Sequence, residues 1–240
     1  MSLTRAEAIV GQDKHDAVVI TGATGNVGGA LVRRLLGKAP LALPGGDMSR
    51  LADSVQGARV ALLSGVDVND ETSVIDGIAR ARKELGAIRA LVHTVGAWAG
   101  GTEVGAQSLG DVKRMLDVNF LSAVHLVKAV LPDVLASGQG RIILFSSADA
   151  LHGRAGASAY AASKAALLRY AEALAEEVTP KGVGVRVIIP TTIDTPANRA
   201  AMPNGRFDDW VKLDEVASAV EFLLSPDSAG LRFALVPLGR

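Results

Sequence analysis

Tyr160 and Lys164 lie four residues apart in Ser158–Leu168, SAYAASKAALL, a stretch rich in Ala and free of Gly and Pro. Those residues favour helix, and a spacing of four puts both side chains on one face. A free phenol titrates near pH ~10, and a neighbouring ammonium favours the phenolate and lowers that value. A phenol tuned toward neutrality works as a general acid or base. It can give a proton to a carbonyl oxygen as hydride reaches the carbon, or take one from an alcohol as hydride leaves. Tyr-x-x-x-Lys is short, so its neighbours decide the matter. Ser147 closes the apolar run RIILFS ahead of the helix, and its hydroxyl could bind the same substrate oxygen. Asn119 interrupts a helical stripe of Val112, Met115, Leu116, Ala123 and Leu126. A buried amide needs partners: a water relaying protons to Lys164, or neighbours in the core.

The second chemical signal is VVITGATGNVGGAL, with Gly22, Gly25 and Gly28 at regular spacing. Placed between a strand and a helix, such glycines let backbone N–H groups approach a pyrophosphate, which meets the positive end of the helix dipole. The plain alternative is a tight turn without a ligand; position after the first strand of an alternating chain favours the dinucleotide. An acid ending the second strand would hold the ribose hydroxyls of NAD. That place falls on Gly45 or Gly46 in LALPGGDMSR, with Asp47 slightly late and Arg50 beyond it. A missing acid leaves room for a 2′-phosphate, so the sequence leans toward NADP(H) among the NAD(P)(H) cofactors.

These residues need a scaffold, and the chain outlines one. Apolar runs at Ala17–Thr21, Leu41–Leu43, Arg59–Leu63, Ile88–Val95, Arg141–Ser146, Val183–Ile189 and Phe233–Pro237 read as strands. Helical patterns cover Asn26–Gly37, Asp70–Leu85, Asp111–Leu131 (ended by Pro132), Tyr160–Val178 and Asp214–Leu224. Continuous apolar strands belong to a sheet covered on both faces. Their alternation with helices predicts an α/β fold, a doubly wound parallel sheet of the Rossmann type with about seven strands. The 240 residues, 49% of them hydrophobic, suit one domain over residues 17–240 after an extension at 1–16. Lys plus Arg and Asp plus Glu are 25 each, which favours neither nucleic acid nor an anionic membrane as partner. The absence of cysteine excludes disulfides, thiolate-bound metal and thiol catalysis. The four histidines show no metal spacing, and no metal site is expected. No apolar run approaches membrane-spanning length, and the charged start, MSLTRAEAIVGQDKHD, is unlike a signal peptide. The expectation is a soluble cytoplasmic protein.

Taken together, these motifs resemble the short-chain dehydrogenase/reductase family in its compact single-domain branch, from about Ala17 to the C-terminus. The resemblance implies an Asn–Ser–Tyr–Lys tetrad of Asn119, Ser147, Tyr160 and Lys164. Tyr160 would be the acid/base and Ser147 would orient the substrate oxygen. Lys164 would lower the phenol's pKa and bind the nicotinamide ribose, and Asn119 would hold the relay water. It also implies cofactor contacts from Gly22, Thr24, Gly25, Asn26, Val27 and Gly28, from Asp67 and Val68 beside the adenine, and from Gly96. Pro190, Ile193 and Thr195, in PTTIDTP, would line the nicotinamide. Three places depart from the family pattern. Asn26 replaces its middle glycine, His93-Thr94-Val95-Gly96 stands for Asn-Asn-Ala-Gly, and Thr191 replaces the glycine after Pro190.

VGAWAGG (Val95–Gly101) and TIDTPANRAAMP (Thr192–Pro203) are similar to segments of dihydropteridine reductases, whose pterin pocket uses a Trp. Trp98 could stack on a flat ring or simply pack its loop. Ser147 favours a carbonyl or alcohol substrate over a quinonoid pterin. Asn198–Asp209, NRAAMPNGRFDD, would be a lid excluding water, with Asn198 and Met202 near the substrate. Arg199 and Arg206 would attract an acidic substrate or merely be solvated. The resemblance implies a homodimer or homotetramer built on the Tyr160 helix and the long helix before it. The rival readings are a dihydropteridine reductase and a non-catalytic NAD(P) sensor.

Overall fold

The computed structural model describes residues 16–239; the expected extension at 1–16, apart from Asp16, lies outside the described residues. Seven strands form one parallel sheet. In chain order they are β1 (Ala17–Thr21), β2 (Leu41–Pro44), β3 (Val60–Leu63), β4 (Ile88–His93), β5 (Arg141–Phe145), β6 (Gly184–Pro190) and β7 (Phe233–Leu238). Their order across the sheet is β3-β2-β1-β4-β5-β6-β7. Every residue of β1, β4, β5 and β6 is buried, as strands covered on both faces must be. In β7 exposed and half-buried residues alternate, the pattern of an edge strand.

Helices α1 (Asn26–Leu35) and α7 (Leu213–Leu224) cover one face, where Leu31, Leu35, Val216 and Val220 pack against Ile20, Val92, Ile143 and Ile188. On the other face are α2 (Glu71–Leu85), α4 (Ser122–Ala136) and α5 (Ser158–Val178). There Val74, Ile78, Leu126, Val130, Leu167 and Ala171 meet Val19, Leu91, Ile142 and Val187. Short helices α3 (Leu109–Leu116) and α6 (Pro196–Ala201) lie at the carboxyl edge. The chain leaves β1 toward β2 and later returns to β4 on the other side. The loops after β1 and β4 therefore diverge and open a crevice, the usual ligand position in such sheets.

Several boundaries differ from expectation. The fourth strand ends at His93 rather than Val95. The long helix begins at Leu109 and runs through Pro132 to Ala136, interrupted by a π-turn at Asp117–Leu121. Pro132 removes only its own N–H to the Lys128 carbonyl. Both residues are exposed, on the side away from the sheet, while Val130 and Val134 keep the helix on the core. By length and composition Leu109–Ala136 could also cross a bilayer, contrary to the reading of the apolar runs. Its apolar side is the one that packs against β4 and α2.

Candidate active site

The glycine turn has the shape a pyrophosphate cradle needs. Gly22 adopts φ +70°, the left-handed region open to glycine. A Cβ on Gly28 would stand 2.1 Å from the Gly22 carbonyl, so only glycine lets α1 start this close to β1. Thr24, Gly25 and Asn26 are exposed at the start of α1, Val27 is half-buried, and no acid occupies its first turn. Beside them is a cavity of about 490 Å³ whose lining includes Gly22, Thr24, Gly45, Gly46, Asp67 and Val68. The donors and the shape fit the phosphate and adenosine parts of a dinucleotide. Neither Asp47 nor Arg50 lines this cavity; both are exposed. The Asp47 carboxylate accepts from the Ser49 hydroxyl (2.6 Å) and backbone N–H (3.0 Å), and these bonds hold its pKa down.

The π-turn builds the next layer. Ser122 N–H bonds back to the Asp117 carbonyl, leaving the Val118 carbonyl without its helical partner. The Ser122 hydroxyl donates to that carbonyl at 2.7 Å. Its single proton is then spent, so Ser122 Oγ accepts from His93 Nε2 at 3.1 Å. That assignment leaves His93 Nδ1 as acceptor for the Thr21 hydroxyl at 2.9 Å. Burial, and next the nearby Lys164 ammonium, push the His93 pKa down to about 3, so the imidazole is neutral. One histidine thus ties the ends of β1 and β4 to the turn carrying Asn119.

Asn119 is fully buried. Its amide nitrogen donates to the Ala97 carbonyl (2.9 Å) and Ser163 hydroxyl (3.0 Å), and its oxygen accepts from Ala97 N–H (2.9 Å). These bonds staple the loop after β4 to α5 and commit both amide protons. The expected water-holding side chain is therefore a bracket in this structure, with one oxygen lone pair to spare. A Cβ on Gly96 would come within 3.0 Å of Asn119 Oδ1 and 3.1 Å of Lys164 Nζ, so Gly96 closes over both.

Tyr160 and Lys164 share a face of α5, as their spacing requires. The helix begins two residues earlier than predicted, at Ser158. Lys164 is buried, and its ammonium donates to the Phe145 carbonyl at 2.8 Å. Burial pushes its pKa down to about 8. Ser147 lies near enough to the Tyr160 phenol to lower its pKa, and its hydroxyl accepts from Asp149 N–H at 3.2 Å. The phenol's pKa moves opposite to expectation: burial raises it, Ser147 and Arg154 oppose the rise, and Asp149 adds to it. Lys164 spends a proton on Phe145 rather than on the phenol. Ser146, next to the predicted serine, ties the strand end to α5 through the Lys164 carbonyl at 3.1 Å.

The predicted nicotinamide segment splits in two. Buried Pro190 ends β6, whereas Ile193 forms a bridge with Val211 and Thr195 caps α6, accepting from Asn198 N–H at 3.1 Å. The Asn198 side chain is spent on the Ile193 carbonyl at 2.8 Å. The expected lid is latched. Asp194 receives Arg199 (2.6 Å) and Lys212 (2.9 Å), and Arg199 lies 4.5 Å over the Phe207 ring. Those two cations hold the Asp194 carboxyl well below the usual range. Arg199 is therefore committed to Asp194 and Phe207, whereas Arg206 pairs at the surface with Asp209 at 2.9 Å while its side chain stays 86% exposed, as the solvated reading expected. Trp98 and Met202 are 58% and 41% exposed, so the structure does not enclose them in a pocket.

Sequence reasoning missed Thr21, Ser122, Ser163, Asp149 and Arg154. The readable signal was His93, a lone imidazole ending a strand that is otherwise apolar apart from Arg89.

A glycine cradle, a cavity at the sheet's switch point and a serine and tyrosine close together beside a buried lysine are the features of a Rossmann-type oxidoreductase fold. A family model described as short chain dehydrogenase matches residues 16–205, and the chain belongs to the short-chain dehydrogenase/reductase family. An uncharacterized oxidoreductase of Staphylococcus saprophyticus is 31% identical over 77% of this chain and 80% of its own. The dihydropteridine reductase of Dictyostelium discoideum is 36% identical over 60% of this chain and 63% of that protein. The 3-oxoacyl-[acyl-carrier-protein] reductase of Salmonella typhimurium is 27% identical over 88% and 90%. Among solved structures, an oxidoreductase of the family from Burkholderia thailandensis superposes with TM-score 0.81, 31% identity and coverage of 92% and 90%.

Proposed function

We propose that this oxidoreductase moves hydride between a nicotinamide dinucleotide and a carbonyl or alcohol substrate, with Tyr160 as acid/base. The observation that carries this reading is the placement of the Ser147 hydroxyl at the end of β5, close enough to the Tyr160 phenol to lower its pKa, with buried Lys164 one turn further along α5. It offers one substrate oxygen both an orienting hydroxyl and an exchangeable proton. Bound dinucleotide supplies or receives the hydride. Gly22, Gly25 and Gly28 with the start of α1 hold its phosphates, while Asp67 and Val68 flank the adenine. Gly96 and Pro190 border the nicotinamide half. Lys164 Nζ, with two protons left after Phe145, binds the adjoining ribose and gives the Tyr160 phenolate a counter-charge during turnover. Ser147 holds the carbonyl oxygen while the phenol delivers its proton. With neither acid nor base at Gly45–Gly46, the cavity makes the ribose end permissive, and NADP(H) is accommodated there.

Fluorescence titration with NADPH and NADH, followed by a panel of carbonyl substrates, tests the reading. Micromolar binding with carbonyl turnover supports it; binding of neither nucleotide defeats it. The pterin alternative draws on the Dictyostelium relative and exposed Trp98, and quinonoid dihydropterin turnover exceeding that of every carbonyl would favour it. We also propose assembly as a homodimer or homotetramer through α4 and α5. Light scattering that shows only monomer would refute this.

A further inference from the structure

The end of the sheet away from this site carries an unusual set of charges. Arg89 on β4, Arg141 on β5 and Arg186 on β6 begin three neighbouring strands and are 4%, 5% and 0% exposed. Register brings two of them together: Arg186 pairs with Ile143, two residues beyond Arg141 and on its face. Arg89 precedes Ala90, the partner of Arg141, and sits at the irregularity where Ala17 pairs with Ile88 and Val18 with Ala90. Arg186 lies against Gly184, where any side chain would overlap its Nη1.

Carbonyls satisfy only part of this cluster. Arg186 Nη2 donates to the Ser228 carbonyl at 2.8 Å, and Arg141 Nη1 to those of Gln139 (2.8 Å) and Gly140 (2.9 Å). Arg186 Nε and Nη1 and Arg141 Nε have no partner and no solvent, and neither residue pairs with a carboxylate among the described residues. The cations also repel. After burial, the next influence lowering Arg186 is Arg141, and for Arg141 it is Arg89. Asp16 is the acid that acts on Arg89. Buried charge without a counter-charge is costly, and buried N–H groups without acceptors add to that cost. A guanidinium fork with free N–H groups matches an oxyanion. Gly138 and Gln139, and Ala229 and Gly230, at or near the accepting carbonyls in sequence, are exposed.

We propose that Arg89, Arg141 and Arg186 form a binding site for a tetrahedral oxyanion of the phosphate or sulfate class, separate from the dinucleotide site. Bound there, the anion takes the orphaned protons of Arg141 and Arg186 and screens their like charges. It acts as a structural ligand of the strand starts, about a strand length, ~17–20 Å, from the Tyr160 chemistry.

The test is a thermal-unfolding titration with inorganic phosphate at constant ionic strength, using chloride as the reference. At tenfold over its Kd, phosphate raises wild-type Tm by about 3–5 °C, and the rise continues with the logarithm of concentration. Arg186→Met and Arg141→Met each abolish that phosphate-specific rise; two variants guard against one failing to fold. Phosphate bound at the glycine turn instead would stabilise wild type and both variants alike, which overturns the assignment. A wild-type response no larger than that to chloride overturns it as well.

Discussion

The two ends of the central strands handle buried polarity in opposite ways. At the carboxyl end, Thr21, His93, Ser122, Asn119, Ser163 and Lys164 each have a protein partner, and from Ser122 through His93 to Thr21 the protonation of one fixes that of the next. At the amino end, Arg141 and Arg186 keep N–H groups that no protein atom receives. The first arrangement is self-sufficient and holds reactive groups in place; the second is incomplete as a protein. A functional site is therefore not marked by strained or unsatisfied polarity in general. Here the proposed chemistry rests on the satisfied end, and the unsatisfied end points to a separate ligand.

Substitutions can break that contrast. The largest effect belongs to Tyr160→Phe, which should lower turnover by about 10²–10⁴-fold while nucleotide affinity in a fluorescence titration stays nearly unchanged. Equal loss of both would make Tyr160 a scaffold residue. Gly28→Val should come next. With a Cβ 2.1 Å from the Gly22 carbonyl, the turn must open, and nucleotide binding should fall by more than tenfold in the same titration.

His93→Gln sharpens the comparison by loosening the satisfied network. Losing its bonds to Thr21 and Ser122 should cost about 1–3 kcal/mol in urea unfolding at pH 7. The folded imidazole titrates at about 3, against ~6.5 in the unfolded chain. Between those values the unfolded state binds the extra proton, so this contribution is complete above pH ~6.5 and fades as pH falls toward 3. The wild type should lose up to ~1.4 kcal/mol per pH unit more than the variant across that window. Parallel pH profiles would show that His93 is not held neutral. Arg199→Ala should have the smallest effect. It releases the latch on Asp194, and the readout is faster proteolysis between residues 201 and 207 with Tm little changed.

Much of the architecture was legible because parallel strands advertise themselves as unbroken apolar runs, and because Gly22 and Gly28 have no substitute where they stand. The tetrad residues were legible by spacing, but their roles were less so. Asn119 looked like a water holder because its partners, the Ala97 backbone and Ser163, come from segments distant in sequence. The direction of the Tyr160 shift depended on burial, which a single helix does not reveal. The π-turn was hidden because its signal is one displaced hydrogen bond. The arginine cluster was missed for a related reason: Arg141 and Arg186 look like ordinary strand-end charges until register places them on one face, with Arg89 on the next strand.

Strand order also bears on how the chain is made. β1 cannot complete its pairing when it leaves the ribosome, because its inner neighbour is β4 and Ala17 must wait for Ile88. Until then, β1, β2 and β3 present an open edge lined by Val18 and Ile20. After β4 arrives, β5, β6 and β7 are added one by one in the order of their synthesis. The vulnerable interval in biosynthesis is therefore the translation of α2, when half a sheet exists with its central edge uncovered. Slow codons or a stalled chain in that stretch should favour aggregation more than a delay anywhere after β4.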